Sequence, residues 1–486
     1  MATAPAAAQA PAAADTIPPV HQRIAGPSPM APALLPAGAS AGAPLGTHSD
    51  TLPCLECNPP KRFWLGAADV MLAQFVPWAG NYFISKQAWA EIGPQTWRNN
   101  LTYPWQWDDN TLDINHFRHP VHGSMYFNAA RTNGYSFWGS AAWPLAGSLM
   151  WELFWEAWAP SPNDLVNTSV GGVILGETLF RLSRLTLDNT ATGGERVWRE
   201  IGSALLNPIS GFNRLVRGET GRVSANPPAW RPSAILGVLD LGYRQTTQSI
   251  TNGVTESGSD QWNATFLLSY GDPTKDLSQT PFSYFAIRAD LAGPSSGQVV
   301  NQFSARGSLA AWPLGESRRH QVAVSLEYDY FDNPAFQYAG QSVQVGLISS
   351  IGAPRKTWWG QTTFLFNGVI LGSTKSDYYR TVEGRNYDYG PGLGTLLSGR
   401  LFYKTRLQGT VSYAGLWLHT IDGTQSAHYQ DALLLEARYW ASHTIGIGFG
   451  YTVYNRHSDY SSLPDVDQSS SFLRAFVSTA IPGLPH

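Results

Sequence analysis

Charged residues are scarce in this chain of 486 residues. They make up only 14% of the sequence, against about 25% in an average soluble domain. The formal net charge is only -3, and no basic stretch is present that could neutralise phosphates, which argues against a nucleic-acid partner. The mean hydropathy of -0.19 is not typical of a transporter built from membrane helices. It is consistent with a membrane β-barrel, in which apolar and polar residues alternate and the average stays mild.

Cysteine is almost absent as well. Cys54 and Cys57 form a single Cys-x-x-Cys, with no second pair to complete a zinc site and no histidine after Cys57 for haem attachment. A redox pair is an alternative, although the surrounding pattern is not that of thioredoxin-like proteins. We predict a short structural disulfide, formed in an oxidising compartment, and no cofactor.

The N-terminal segment lacks the residues that build a core. Residues 1–50 are rich in Ala and Pro, so they could not bury enough apolar surface to offset the entropy lost on ordering. No basic segment followed by an apolar one stands at Met1, and we expect that a signal peptide has been removed. Residues 1–60 are therefore predicted to be a disordered tail.

The chain does have a strong alternation of side-chain type. Between residues 319 and 330, apolar or aromatic residues such as Val322 and Tyr330 alternate with small or charged residues such as Ser325 and Glu327. Alternate side chains of a strand point to opposite faces. About twelve such segments occur between residues 233 and 481, separated by turn signals, and each is long enough to cross a bilayer when tilted.

An even number of strands, apolar outside and polar inside, is typical of barrels in the bacterial outer membrane. We therefore predict an α+β fold in which residues 221–486 form an antiparallel transmembrane β-barrel of about twelve strands, in the outer membrane of a Gram-negative bacterium. Charges of both signs on the polar face indicate ion pairs that close or rigidify the lumen, since an ion-selective pore would show one sign. The residues predicted to face the lumen are Asp240, Arg288, Asp290, Arg306, Glu327, Asp329, Arg400, Glu436, Arg438 and Arg474.

Residues 61–220 differ from the barrel segment, because their apolar residues recur at helical spacing. Pro144 is expected to start or kink a helix, and Ser161 to begin the next one. Charges such as Glu152 interrupt the apolar runs, which argues against membrane-spanning helices. We expect amphipathic helices that form a plug in the barrel or a foot at its periplasmic end.

Several long motifs in this region are recognisable. The motifs are His119–Trp138 (HPVHGSMYFNAARTNGYSFW), Met150-Trp151-Glu152, Pro162-Asn163-Asp164-Leu165, Gly171-Gly172, Gly176-Glu177 and Asn207–Arg214 (NPISGFNR). Together they resemble the bacterial domain-of-unknown-function family 3943 over roughly residues 90–220. The family is usually regarded as an outer-membrane or envelope protein, so the resemblance implies a location and no activity.

His119 and His122 are the first candidates for a chemical site. Three residues apart, they could share a metal or act with a carboxylate of Glu152, Asp164 or Glu177, although Pro120 between them favours a turn over a helix. Such a site would make the protein an outer-membrane enzyme acting on lipid or lipopolysaccharide.

The alternative, which we favour, is that these groups join a network of buried hydrogen bonds holding the helices together, without a metal. Its other members would be Arg131, Asn163, Asn167, Asn213 and Arg214. The barrel would then have a structural, transport or partner-docking role rather than a catalytic one. Its partners would be membrane lipid or lipopolysaccharide, and an envelope protein is a further candidate partner at the helical domain. A third hypothesis is a soluble periplasmic sandwich that acts as a binding module.

Overall fold

The computed structural model describes residues 52–255, 260–272, 280–293, 299–316, 319–333, 336–352, 357–404 and 406–482. Of the predicted disordered tail, residues 1–60, the part up to residue 51 lies outside these ranges. Residues 52–60 are described, and they include the Cys54–Cys57 disulfide and the pairing of Glu56 with Arg214. The first helix begins at Phe63 and the first long strand at Ile235. No helix among the described residues combines the length and the apolar character needed to cross a bilayer.

The strands of the described residues form one closed antiparallel barrel. Twelve long strands each pair with the next in sequence, and the first pairs with the last, so that Gly237 lies opposite Ile481. A two-residue strand, Val254–Thr255, folds back on the end of the first. The predicted barrel of about twelve strands is confirmed. The strands are β1 Ile235–Thr251, β2 Asp260–Tyr270, β3 Phe285–Ala292, β4 Val300–Leu314, β5 His320–Asn333, β6 Phe336–Ile351, β7 Trp358–Lys375, β8 Tyr387–Tyr403, β9 Leu407–His419, β10 Ser426–Trp440, β11 Ile445–Tyr460 and β12 Val466–Pro482.

The two faces of the barrel differ as the alternation predicts. Leu435 on β10 and Ile447 on β11 point outward and are 43% and 51% exposed. Large aromatic residues are exposed near the strand ends, as in the aromatic girdles of outer-membrane barrels: examples are Trp262, Trp312 and Trp358. The outer wall therefore has the apolar belt that contact with lipid requires.

Short helices make up the N-terminal region. They are α1 Phe63–Ala79, α2 Pro94–Thr102, α3 His119–Arg131, α4 Phe137–Met150, α5 Pro162–Val166, α6 Gly172–Thr186, α7 Gly193–Leu206 and α8 Pro208–Val216. Single π-helical turns precede α3 (Ile114–Arg118) and α6 (Asn167–Gly171). Pro144 does not start a helix but lies inside α4, whereas Ser161 caps α5, its side chain accepting a hydrogen bond from the backbone N–H of Asp164.

The helical domain packs against the outside of the barrel. Tyr328 and Tyr330 of β5 share the outward face of the strand with Val322, yet they are only 0% and 2% exposed. The Tyr328 hydroxyl donates a hydrogen bond to the carbonyl of His116, and the ring of Phe117 lies 5.7 Å from that of Tyr330. These helices therefore lie beside the barrel wall. This position corrects the expectation of a lumen plug or a periplasmic foot.

Candidate functional site

The two histidines singled out in the sequence lie in the first turn of α3. The backbone is helical from the π-helical turn Ile114–Arg118 directly into α3, and Pro120 lies within this continuous helix, so the expected turn was wrong. His119 Nδ1 lies 3.1 Å from Thr168 Oγ1, whereas His122 Nε2 donates to the carbonyl of Ala73 at 2.9 Å. The imidazoles thus engage different partners, and no group of three His, Cys, Asp or Glu side chains among the described residues could hold a metal ion.

A group of buried carboxyls lies beside His119. Asp164 Oδ1 is 3.6 Å from His119 Nε2, which is too far for a hydrogen bond. Glu152 accepts a hydrogen bond from the backbone N–H of Ser161 at 2.8 Å, and Glu156 accepts one from the indole of Trp151 at 3.0 Å. The structure therefore brings Asp164 next to His119, and Glu152 is linked to Asp164 through Ser161, whose side chain accepts a hydrogen bond from the backbone N–H of Asp164.

Burial controls the protonation of this group. It raises the pKa values of Glu152 and Asp164 well above their usual range and that of Glu156 to about 7, and the neighbouring Asp108 raises all three further. Burial also lowers the pKa of His119 to about 4. Burial therefore favours the neutral forms of Glu152, Asp164 and His119, so the group is suited to hold and donate protons rather than to form an ion pair.

The barrel contributes tyrosines to the same group. The side-chain amide of Asn163 donates to the hydroxyl of Tyr389 at 3.0 Å, and that of Asn115 donates to Tyr387 and Tyr389 at 2.9 and 3.1 Å. Asn167 in turn donates to the backbone carbonyl of Asn115. Sequence reasoning missed these tyrosines, because their alternation on β8 indicates only an outward face and not what covers it.

The remaining residues of the predicted network hold helices together. Glu177 is paired with Arg131 at 2.8 Å and with Arg181 at 2.9 Å, so both of its oxygens are occupied. Asn213 donates to Asp69 at 2.7 Å, and the fully buried Arg214 binds Glu200. Buried charges are tolerated only when paired in this way.

Cys54 and Cys57 are joined by a disulfide, and the two-residue loop between them includes Glu56. Glu56 lies 2.6 Å from Arg214 and 3.4 Å from Arg184. The loop thus places a carboxylate among the arginines of the helical domain. Its role was not predictable, because nothing in the spacing of the cysteines indicates a partner for Glu56.

The residues predicted to face the lumen are buried and largely paired with one another. Arg438 on β10 lies 2.9 Å from Asp240 on β1 and 3.0 Å from Glu436. Arg474 on β12 binds Glu436 at 3.0 Å and donates to Thr265 on β2 at 2.7 Å. Apart from the pair Arg438–Glu436 within β10, these contacts join strands that are not neighbours in the sheet, and they brace the interior of the barrel. Further close pairs are Arg306 with Glu327 and Arg288 with Asp290, and both Asp329 and Arg400 are buried on the same face.

A second polar cluster lies inside the barrel and was missed from the sequence. His428 Nε2 is 3.1 Å from Asp388, and His428 Nδ1 is 2.9 Å from the hydroxyl of Ser458. The residue types are those of a hydrolase triad, but the contacts to the ring are exchanged, because in the triad the acid contacts Nδ1 and the serine contacts Nε2. The three side chains are at most 1% exposed, and Arg456 also donates to the Ser458 hydroxyl at 2.8 Å. This serine is therefore enclosed and hydrogen-bonded, which suits a bracing role.

Comparisons with solved structures return outer-membrane barrels. The NanC porin is 12% identical with a TM-score of 0.28, and the alignment covers 50% of this chain and 98% of the porin. An outer membrane channel from Pseudomonas putida F1 is 10% identical with a TM-score of 0.27, and the alignment covers 51% of this chain and 96% of the channel. The outer membrane protease OmpT from Escherichia coli is 11% identical with a TM-score of 0.21, and the alignment covers 51% of this chain and 97% of the protease. None of the curated proteins matches this sequence.

The pairing of β1 with β12 establishes a fold of the outer-membrane barrel type. The segment in front of it, which contains His119, Glu152 and Asp164, also has relatives. The model of the family described as "Domain of unknown function (DUF3943)" matches residues 104–209, and this confirms the resemblance of that segment to the family.

Proposed function

We propose that this chain is an outer-membrane protein of a Gram-negative bacterium whose closed barrel anchors a helical domain that works in contact with membrane lipid. The observation that carries the proposal is the inverted polarity of the hairpin formed by α7 and α8. Trp198, Leu205 and Leu215 are 73%, 79% and 67% exposed, whereas Ser203 and Asn213 are fully buried.

This arrangement is the reverse of that in a water-soluble helix pair, which buries its apolar face. Apolar side chains outside and paired polar groups inside are favourable where the surrounding medium is hydrocarbon or the membrane interface. The pattern extends to α1 and α4, where Trp64 and Trp138 are 82% and 63% exposed. Large contiguous apolar surfaces of this kind mark membrane or protein contacts.

Continuity with the barrel favours lipid over a protein partner. The helical domain rests on the outward face of the barrel, and the parts of that face it leaves free carry exposed apolar residues such as Val345 on β6 and Phe364 on β7. A bilayer around the barrel would therefore meet the apolar face of the helices as well. The proton-holding group around His119 and Glu152 would then lie in a domain bordered by lipid.

The interior of the barrel supports an anchoring role rather than passive diffusion. The cross-strand ion pairs of Arg438 and Arg474 lie within the lumen. A second set of inward-facing residues forms an apolar cluster, which includes Leu365, Leu396 and Leu416, each at most 7% exposed. A lumen filled with side chains leaves little room for hydrated solutes.

Contact between α7 and lipid can be measured with a spin label. Because the two cysteines are joined to each other, a nitroxide attached to a Leu205→Cys variant would report from one site. In liposomes we expect this label to collide more often with oxygen than with a water-soluble nickel chelate, because oxygen concentrates in hydrocarbon.

A label at Glu195→Cys, on the first turn of the same helix and also exposed, is the matched control. We expect this label to collide more often with the nickel chelate than with oxygen. The native glutamate at this position is charged, and charged side chains stay in water. Equal access of the nickel chelate to both labels would overturn lipid contact at this hairpin.

The closed lumen makes a separate prediction for electrical recordings. Protein inserted in a planar bilayer is expected to leave the current at the baseline of the bare membrane, because buried side chains obstruct the path of ions. Insertion is checked independently by flotation of proteoliposomes. Stable ohmic current steps that scale with the amount of inserted protein would contradict the anchoring role and favour transport.

A further inference from the structure

A cavity of about 740 Å³ lies between the helical domain and one end of the barrel. Its walls come from the loop after Cys54, the ends of α3 and α6, the segment that leads into β1, and Tyr270 at the end of β2. Two glutamates, Glu56 and Glu219, are its acidic lining residues. Six arginines line it: Arg62, Arg131, Arg181, Arg184, Arg217 and Arg231.

Three of these arginines have close carboxylate partners. Arg131 and Arg181 share Glu177, which does not itself line the cavity. Arg217 donates two hydrogen bonds to Glu219, at 2.8 and 3.0 Å. The positive charges of the other three, Arg62, Arg184 and Arg231, are less well balanced by carboxylates.

Arg184 is the least compensated of them relative to its burial. It is 5% exposed, and its Nε and Nη1 atoms have no hydrogen-bond partner. Its neighbouring carboxylate, Glu56, lies 3.4 Å away through Oε1, and Arg214 shares the same carboxylate through Oε2 at 2.6 Å. Burial lowers the pKa of Arg184 to about 10, so it remains charged at neutral pH. A buried charge whose donors are unfilled favours the entry of an anion.

We propose that this cavity binds a phosphate group. The planar guanidinium donates two parallel hydrogen bonds that match phosphate oxygens, and several arginines around one concave site are typical of phosphate recognition. Apolar walls at Phe180 and Trp230 would suit the organic part of the ligand.

The cavity lies at the end of the barrel where β1 begins and β12 ends, which is the periplasmic end in single-chain bacterial barrels. A phospholipid headgroup of the adjoining leaflet would reach it there. This lipid source rests on the proposed function, because it requires a bilayer around the helical domain. A soluble phosphate compound could reach the same arginines from water.

Isothermal titration of the full chain in a phosphate-free maltoside detergent tests the proposal. The probes are inorganic phosphate and dihexanoylphosphatidylglycerol, a short-chain anionic phospholipid. We expect at least one probe to bind. Binding of the phospholipid alone identifies a headgroup site, whereas comparable binding of inorganic phosphate identifies a soluble ligand. Absence of heat with both probes overturns the site.

Variants separate this cavity from general attraction to a basic protein. Arg231→Ala removes an exposed arginine of the cavity, and Arg184→Met removes the buried one. Each is expected to weaken binding by about tenfold or more, because each removes charge-assisted hydrogen bonds. Arg118→Ala, an exposed arginine away from the cavity, should leave binding unchanged.

If Arg184→Met fails to fold, the comparison of Arg231→Ala with Arg118→Ala still decides the question. Equal losses in those two variants would overturn a specific site. The spin-label result at Leu205 is independent of phosphate binding. Lipid contact without phosphate binding would therefore refute this inference and leave the proposed function intact.

Discussion

Replacing Gly123 by alanine is expected to destabilise the helical domain by about 3 kcal/mol or more. Gly123 lies on α3 where that helix crosses the turn that leads into α6. A Cβ atom at this position would lie 1.9 Å from the carbonyl oxygen of Thr168 and 3.0 Å from the Cα atom of Gly172. These are backbone atoms, so no side-chain rotation can relieve the overlap, and the two helices would have to separate.

The effect can be measured by thermal unfolding in detergent, followed by circular dichroism at a wavelength where helices dominate the signal. Gly80→Ala is the matched control, because an added Cβ at Gly80 meets nothing within 4 Å and its φ of -59° is helical. We expect this control to be neutral or to stabilise the protein by up to about 1 kcal/mol. A Gly123→Ala protein that unfolds together with the wild type would show that α3 and α6 are not in close contact.

The sequence predicts the barrel well because its outer wall faces a uniform medium. Ile447 and Leu435 alternate with lumen residues, and both are exposed on the outside as expected. Tyr328 and Tyr330 continue the same alternation, yet the helical domain covers them. An outward apolar side chain has the same pattern whether lipid or protein covers it. The position of the helices was therefore not predictable from the strands.

The helical domain shows a related limit. The residues of α7 and α8 have a clear amphipathic pattern, but a pattern does not say which face is inside. The usual assumption buries Leu205, yet the structure leaves it 79% exposed and buries Arg214 on the opposite face. Arg214 can be buried because Glu56 and Glu200 neutralise it, and those partners are 158 and 14 residues away in sequence. Such long-range pairing leaves no local signal.

The candidate site was partly predictable for the same reason. His119 and Asp164 both lie in the motifs that resemble the family, and the structure brings them to within 3.6 Å of each other. His122, only three residues from His119, turns to a different partner because Ala73 of α1 offers it a carbonyl. Helical spacing places two side chains near each other, but the surrounding helices decide whether they converge.

The loop between the two cysteines makes the second large prediction. Glu56→Gln is expected to lower the free energy of unfolding of the helical domain at pH 7 by about 3 kcal/mol. Burial alone would raise the pKa of Glu56, but Arg184 and Arg214 lower it to about 2 from a usual value of 4.5. The folded state therefore binds the ionised carboxylate more strongly than the unfolded chain does.

The lowered pKa of Glu56 determines how its contribution to the free energy of unfolding depends on pH. The stability that Glu56 contributes is fully present above about pH 4.5 and is lost as the pH falls toward 2, where the folded carboxylate takes up its proton. Thermal unfolding of wild type and Glu56→Gln should thus differ most near neutral pH and converge in acid.

Glu195→Gln provides the control, because this carboxylate also pairs with an arginine, Arg199, but is 62% exposed. Its loss should change the free energy of unfolding by less than about 0.5 kcal/mol at any pH. If Glu56→Gln and wild type differ by the same amount at pH 7 and near pH 2, the arginines do not hold Glu56 ionised. The disulfide loop would then contribute through its backbone alone.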